Sequence, residues 1–245
     1  MQCTSEQHLD GDILERRFVL GEIPGILWTP ASASASSPVP LILLGHPGGL
    51  PRMHPRLLER ARRSTAAGYA CATIELPGSG DRPRSAAAEQ ARTDLHRTLA
   101  AGQRIDGELI DRLVLPLVDA AVPEWRAVLD DLLGRPEIDG PVGYAGGIIS
   151  IGIRLAVVEP RIAAAVLFAG SYVPRSLFEE APRVRIPLLV LLQWDDEDND
   201  RQMALDLFDA FGTTEKTLHA NMGGHTRVPA FEGEDGNRFF ARHLR

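Results

Sequence analysis

Cysteine is scarce in this chain, whose 245 residues include two, Cys3 and Cys71. Cys3 lies in an amino-terminal segment that we expect to be mobile, and Cys71 lies in an apolar run that we expect to form a strand. Two cysteines so placed cannot supply the framework of a small disulfide-stapled domain. We therefore expect both thiols to be reduced.

Positive charge is also limited. Lysine and arginine together number 26 against 33 acidic residues, which gives a net charge of −7, and Lys216 is the single lysine. A nucleic-acid-binding surface needs a concentrated basic patch. The charge balance therefore argues against a nucleic-acid partner.

Long hydrophobic runs are missing from the sequence. No apolar run approaches the 18 residues that a membrane-spanning helix requires. The first 12 residues are polar and acidic, without the basic and apolar regions of a signal peptide. These features predict a cytoplasmic protein with no membrane partner.

Short apolar runs alternate with helical patterns along most of the chain. This alternation predicts a mostly parallel sheet with helices on both faces, and the length fits a single α/β domain over residues 1–245. We expect eight strands, at residues 16–20, 25–29, 41–44, 69–76, 142–144, 164–169, 188–192 and 216–219.

Helical patterns cover the intervening segments. We expect helices at residues 57–67, 123–133, 147–158, 201–211 and 238–244. In the first of these, Arg60, Arg62 and Arg63 are interpreted as a solvated face. A polar, arginine-rich stretch at residues 81–111 is interpreted as a helical insert that lines part of a pocket.

The most informative segment is a glycine-rich turn between the strand at 142–144 and the following buried helix. Gly143 and Gly147 stand two residues before and two residues after Ala145. Glycine at these positions permits a strained turn in which the chain passes close to itself. The segment resembles the nucleophile elbow, Gly-x-Ser-x-Gly, of the α/β-hydrolase superfamily. If the resemblance holds, Ala145 occupies the nucleophile position and supplies no oxygen.

Two alternatives to this interpretation stay open. Ser150 is a nearby hydroxyl, but Ile148 replaces the first glycine of the motif, and Ser150 falls a turn inside the apolar helix. We interpret it as a helix serine bonded to its own backbone. The turn could also be a glycine-rich connection without chemistry.

The resemblance implies an acid and a base later in the chain. The strand at 188–192 runs into Trp194, Asp195 and Asp196, and the usual spacing from the strand end selects Asp196 as the triad acid, with Asp195 as the alternative. A Gly-Gly-His loop after the last strand offers His225 as the base, with His219 as the alternative. The order nucleophile, acid, base is that of the superfamily.

A glycine-rich loop after the strand at 41–44 completes the resemblance. Residues 45–49 read Gly-His-Pro-Gly-Gly, which looks like the superfamily's oxyanion loop. Pro47 has no N–H to donate, so the resemblance assigns the oxyanion donors to Gly48 and Gly146. His46 is interpreted as a brace for the loop.

These motifs together resemble small bacterial esterases and dienelactone-hydrolase-like enzymes, from residue 16 onward. The implied fold is an α/β-hydrolase fold without a large cap after the sixth strand, since only residues 171–184 separate Ala169 from the next strand. The implied activity is hydrolysis of a carboxylic ester by a serine hydrolase. Lactonases and C–C hydrolases share this core.

Ala145 admits three interpretations. It can mark an engineered, substrate-trapping variant, which the intact acid, base and oxyanion elements favour. It can mark a natural, non-catalytic binding protein. A third possibility is an enzyme that works through His225 without a covalent step. We expect a small ester or lactone as ligand, with Trp194 as a wall of its pocket, and no cofactor, because we find neither a metal-ligand cluster nor a dinucleotide fingerprint.

Overall fold

The computed structural model describes residues 1–244. Its nine β-strands belong to one sheet. In chain order they are β1 (Gln2–Leu9), β2 (Ile13–Leu20), β3 (Ile23–Pro30), β4 (Val39–Gly45), β5 (Ala70–Ile74), β6 (Ile138–Gly146), β7 (Ile162–Phe168), β8 (Leu188–Gln193) and β9 (Lys216–Asn221).

The strand order across the sheet is β1-β2-β3-β5-β4-β6-β7-β8-β9. The pairs β1–β2, β2–β3 and β3–β5 are antiparallel, and the pairs from β5–β4 to β8–β9 are parallel. The carboxyl ends of β4, β6, β7, β8 and β9 therefore meet at one edge of the sheet. This edge is where ligands bind in open α/β sheets.

Helices cover both faces of the sheet. They are α1 (Leu50–Ala66), α2 (Ala86–Ala100), α3 (Gly107–Leu133), α4 (Ile149–Val158), α5 (Arg175–Glu180), α6 (Arg201–Ala210) and α7 (Phe231–His243), with a 3₁₀ turn at Ala181–Arg183. Buried residues of β4 alternate between the two faces, with Leu41 and Leu43 in the core beneath α3 and α4, and Ile42 and Leu44 in the core beneath α1 and α7. The expected α/β-hydrolase fold is confirmed.

Helices α1 and α7 begin at Leu50 and Phe231, earlier than the expected residues 57 and 238, and α5 was not predicted. Two further elements differ from the sequence-based prediction. The amino terminus forms β1, whose residues are almost all exposed, so that it lacks the apolar alternation of a half-buried strand. Helix α3 runs through Pro116 and Pro123 as one helix, where we expected a start at Pro123. Its buried stripe continues from Val118 to Trp125 across the exposed Pro123, and packing of that stripe outweighs the lost backbone hydrogen bond.

The two cysteines are free, as expected, with Cys3 exposed in β1 and Cys71 buried in β5. Burial raises the pKa of Cys71 to about 12, so this thiol is unreactive at neutral pH. Among residues 1–244, no helix combines the length and apolarity that crossing a membrane requires.

Candidate active site

His225 and Asp196 meet at the carboxyl edge of the sheet. Asp196 lies in the turn after β8 and is 8% exposed, and His225 lies in the loop after β9. His225 Nδ1 is 2.8 Å from Asp196 Oδ2. An imidazole that donates from Nδ1 to a carboxylate has its other nitrogen, Nε2, free to accept a proton when neutral. The arrangement is therefore that of a base oriented by an acid.

The loop that carries His225 is braced by two residues to which we had assigned no such role. Asp195 Oδ1 accepts hydrogen bonds from the backbone N–H groups of Gly223 (2.8 Å) and Gly224 (2.9 Å). Both hydrogen bonds lower the pKa of Asp195, and the bond from Gly224 has the larger effect. Gln193 Nε2 donates to the carbonyl oxygens of Gly224 (2.9 Å) and Arg227 (3.1 Å). Of the two adjacent acids, Asp196 holds the histidine and Asp195 holds its loop.

The glycines of this loop have a steric reason. Gly223 and Gly224 have φ of 139° and 63°, in the left-handed region that favours glycine. A Cβ atom on Gly223 would lie 2.6 Å from the carbonyl oxygen of Arg227. The sequence Gly-Gly-His is thus required by the path of the chain as well as by the position of the imidazole.

The surroundings of the pair are apolar on one side and acidic on the other. The ring of Phe168, the last residue of β7, packs edge-on against His225 with 5.8 Å between centroids. On the open side lies a depression of about 320 Å³, lined by Asp195, Asp196, Glu197, Asp198, Gly224, His225 and Arg227. The imidazole of His225 is therefore packed against the protein on one side and accessible to a ligand on the other.

Ala145 does not occupy the strained turn where we expected it. It is the last residue but one of β6, and its φ is not positive. The left-handed conformation is found at the next two residues, Gly146 (φ 72°) and Gly147 (φ 74°). The sequence-based prediction was wrong on this point, because three consecutive small residues leave the position of the turn undetermined.

The turn itself leaves no room for a side chain. A Cβ atom on Gly146 would lie 2.9 Å from Arg60 Nη2, and one on Gly147 would lie 2.8 Å from the Gly45 carbonyl carbon. The second contact is with backbone and cannot be relieved by a side-chain movement. A hydroxyl-bearing residue therefore does not fit at Gly147.

The side chain of Ala145 belongs to the core. Ala145 is paired with Val166 in the parallel pairing of β6 with β7, and both are buried in the apolar cluster beneath α1 and α7. Phe168, which contacts His225, lies two residues beyond Val166 on the same face of β7. Ala145 and Phe168 therefore face the same side of the sheet, at positions offset by two residues along the strands.

Arg60 stabilises the turn through two hydrogen bonds to backbone carbonyl groups. Its Nη1 donates to the carbonyl of Gly45 (2.9 Å) and its Nη2 donates to the carbonyl of Ala145 (2.7 Å), so it joins the ends of β4 and β6. Burial lowers the pKa of Arg60. The interpretation of Arg60 as part of a solvated face was wrong. It lies three residues after the buried Leu57 and next to the buried Ala61, on the border of the buried face of α1.

Ser150 is buried in the first turn of α4, and its Oγ has no hydrogen-bond partner among residues 1–244. The predicted bond to its own backbone is absent there. Its neighbours Ile149 and Ile151 belong to the core beneath α3 and α4, and no hydrogen bond joins Ser150 to His225, so nothing marks it as a substitute nucleophile.

The loop after β4 lies beside this turn. His46 is buried, and its Nε2 is 2.8 Å from the carbonyl oxygen of Ile74. Burial lowers the pKa of His46, which keeps the ring neutral. Glu75 Oε2 accepts the N–H of Leu50 (2.9 Å), and burial raises the pKa of Glu75. Gly48, the expected oxyanion donor, is half-buried and lies in the chain between His46 and Leu50, the two residues held by these hydrogen bonds.

Trp194 and His219 lie in different environments. Trp194 is 42% exposed, and the guanidinium of Arg201 lies 4.3 Å from its ring centroid.

His219, the alternative base, is bonded to Glu232, with 2.8 Å between Nδ1 and Oε2, and is not part of the site around His225.

No family model and no curated protein matches this chain. Solved structures do. The chain is similar to a cold-adapted esterase from an Arctic intertidal metagenomic library, with 26% identity over 100% of both chains and a TM-score of 0.78.

The likeness in fold extends to more distant esterases. An esterase of Pyrococcus furiosus matches with 10% identity, 94% of this chain, 92% of the other and a TM-score of 0.66. Acetyl xylan esterase 1 of a Thermoanaerobacterium species matches with 12% identity, 99% of this chain, 88% of the other and a TM-score of 0.65. The structural neighbours are thus esterases of the α/β-hydrolase type.

Proposed function

We propose that this chain is a protein of the carboxylic-ester-hydrolase type that binds a small ester or lactone without forming an acyl-enzyme. The observation that carries the proposal is the His225–Asp196 pair, whose loop is braced by Asp195 and Gln193, in a chain whose motif has alanine at the nucleophile position. The esterase neighbours support the ligand class.

Each residue of the site has a role in this proposal. Asp196 fixes the tautomer of His225, whose Nε2 accepts a hydrogen bond from a water beside the ligand. The backbone N–H groups of Gly48 and Gly146 hold the ester carbonyl oxygen. Trp194 forms an apolar wall at the rim. Ala145 stands where the sequence motif has its serine, and no covalent step is available there.

Two origins of Ala145 lead to different expectations. In an engineered trap, a serine at position 145 would have pointed at His225 in the unmodified enzyme. In a natural binding protein, no such serine is needed. The extended backbone of Ala145 and its place in the core beside Val166 favour the natural origin. Gly147, where a Cβ atom would meet the backbone of Gly45 and His46, supports it further.

We also propose that residues 1–245 act as one α/β domain and that residues 81–111 form part of the pocket wall. The start of this segment is tied to α3 by Arg82, which donates through both terminal nitrogens to Glu124, at 2.6 and 2.5 Å. Such a two-point ion pair orders the segment against the body of the domain.

Calorimetry with a panel of small aryl and alkyl esters and lactones tests the proposal on the unmodified chain. We expect saturable binding of at least one compound, its intact recovery, and no acyl adduct by mass spectrometry. Trp194→Ala should weaken that binding, and Phe231→Ala, which removes an exposed aromatic side chain at the start of α7, serves as the matched control.

Two results would overturn this account. One is the absence of saturable binding across the panel. The other is a burst of alcohol equal to the protein concentration, with a matching acyl adduct. Slow steady hydrolysis without an adduct, lost in His225→Ala, would instead identify His225 as a general base for water and would replace binding alone with a non-covalent hydrolase.

A further inference from the structure

A second group of metal-ligating side chains lies away from the ester site, between β9 and α7. His219 Nδ1 is 2.8 Å from Glu232 Oε2 and 3.9 Å from Asp235 Oδ2. One ligand atom from each of the three residues lies within 4.8 Å of the others. No metal motif in the sequence links these three residues, because the fold joins positions whose spacing in the chain matches no such motif.

The two elements present these side chains for simple geometric reasons. Glu232 lies in the first turn of α7 and Asp235 three residues later, so they lie on the same face of the helix. His219 lies on β9, and Asn221, two residues later on the same side of the strand, donates through Nδ2 to Glu232 Oε1 at 2.6 Å. Both oxygens of Glu232 are thus turned toward β9.

Glu232 is the unusual member of the group. It is 3% exposed, and a buried carboxylate is costly unless a cation compensates its charge. Its hydrogen-bond partners are an imidazole and a neutral amide. A divalent ion between His219, Glu232 and Asp235 would supply the positive charge that these partners do not.

The cluster opens on a cavity of about 340 Å³. Its lining consists of Leu189, Thr217, His219, Asp235, Arg238, Phe239 and Arg242. A metal ion bound by the three side chains would therefore have a side from which water can complete its coordination. The same cavity gives the ion a path from solvent.

We propose that His219, Glu232 and Asp235 bind one divalent transition-metal ion, of which Zn²⁺ is the best match. One imidazole nitrogen with two carboxylate oxygens suits zinc, whose ligands lie about 2.0–2.2 Å away and therefore within about 4.4 Å of one another. Binding at Nδ1 replaces the hydrogen bond to Glu232 and moves the imidazole proton to Nε2. Asn221 keeps the second oxygen of Glu232 in place.

Two arginines, Arg238 and Arg242, line the cavity and oppose the ion, and Arg238 is the one paired with a ligand residue. Arg238 pairs with Asp235 and lies 3.8 Å from Glu234. The guanidinium competes with the metal for the carboxylate of Asp235. Removing it should therefore strengthen metal binding, which a merely structural ion pair would not predict.

Titration of the full chain with ZnCl₂, after treatment with a chelator and dialysis, tests this proposal. We expect one site per chain by calorimetry and a saturable rise of several degrees in the thermal unfolding midpoint. Glu232→Gln and Asp235→Asn should each weaken binding about 10-fold or more, and Arg238→Gln should tighten it. Asp196→Asn, which alters the other histidine–carboxylate pair, should leave the affinity unchanged.

The proposal fails if Zn²⁺ shows no saturable binding. It also fails if binding survives in both Glu232→Gln and Asp235→Asn or is lost in Asp196→Asn. Because Glu232 is buried, its variant is checked by circular dichroism. If that variant does not fold, the partly exposed Asp235 and Arg238 decide the question through the opposite changes predicted for their variants.

Discussion

Ala145 is paired with Val166 in the sheet, whereas the ring of His225 packs against Phe168, two residues farther along the same strand. The residue paired with Ala145 is therefore not the residue that packs against the imidazole. A serine hydroxyl at position 145 would point into the apolar core beneath α1 and α7. This relationship distinguishes two cases. One is a hydrolase whose catalytic serine has been replaced, and the other is a protein whose turn never carried a serine.

The first prediction concerns Arg60, whose guanidinium joins the carbonyls of Gly45 and Ala145. Arg60→Met removes both hydrogen bonds and leaves two carbonyl groups without a partner. We expect a loss of about 1–3 kcal/mol in the free energy of unfolding, measured by urea denaturation. Arg62→Met, an exposed arginine on the same helix, should change it by less than about 0.5 kcal/mol. Equal effects of the two variants would refute a special role for Arg60.

The second prediction concerns the brace under the His225 loop. Asp195→Ala removes the acceptor of the Gly223 and Gly224 amides, so their hydrogen exchange should become faster. Asp195→Asn keeps a carbonyl oxygen that can accept these bonds, and most of the protection should remain. Hydrogen exchange measured by NMR distinguishes the two variants. Unchanged exchange in Asp195→Ala would mean that Gln193 alone holds the loop.

The third prediction is a pH dependence of stability that arises from Glu159. Its buried carboxylate accepts hydrogen bonds from Arg161 at 2.6 and 2.7 Å, which lower the pKa of Glu159 to about 2. Because the folded-state pKa lies below the unfolded value of about 4.5, the stabilisation is complete above pH 4.5. It is lost as the pH falls toward 2.

Glu159→Gln should accordingly destabilise the protein at pH 7 by at most about 3 kcal/mol. The difference from the unmodified chain should shrink between pH 4.5 and pH 2. Glu179→Gln, which alters an exposed pair with Arg175, serves as the control and should show no such trend. A difference independent of pH over this range would contradict the assignment to Glu159.

The sequence predicted those features of the structure that depend directly on the type of residue present. Glycine in the left-handed region, a histidine after the last strand and an acid after β8 are all visible as residue types, and the fold places His225 beside Asp196. Apolar runs predicted the eight strands from β2 to β9 for the same reason. Strand β1 was missed because it buries almost nothing.

The remaining differences depend on contacts that no local pattern contains. The run Ala-Gly-Gly allows the turn to start at any of three residues, and packing against Arg60 and Gly45 decides where it lies. Arg60 itself looks like its exposed neighbours on α1. The cluster of His219, Glu232 and Asp235 exists only because α7 packs beside β9.

The central claim is that position 145 cannot carry the nucleophile of this site. It is tested most directly by treating the Ala145→Ser variant with an alkyl fluorophosphonate, which labels activated serines, and weighing the intact protein. We predict no adduct at Ser150 in the unmodified chain, no adduct at position 145 in the variant, and less than a 10-fold gain in ester hydrolysis. Stoichiometric labelling at position 145, with a gain approaching the factor of about 10⁶ that a triad serine supplies, would contradict the account and would identify the alanine as the replacement of a catalytic serine.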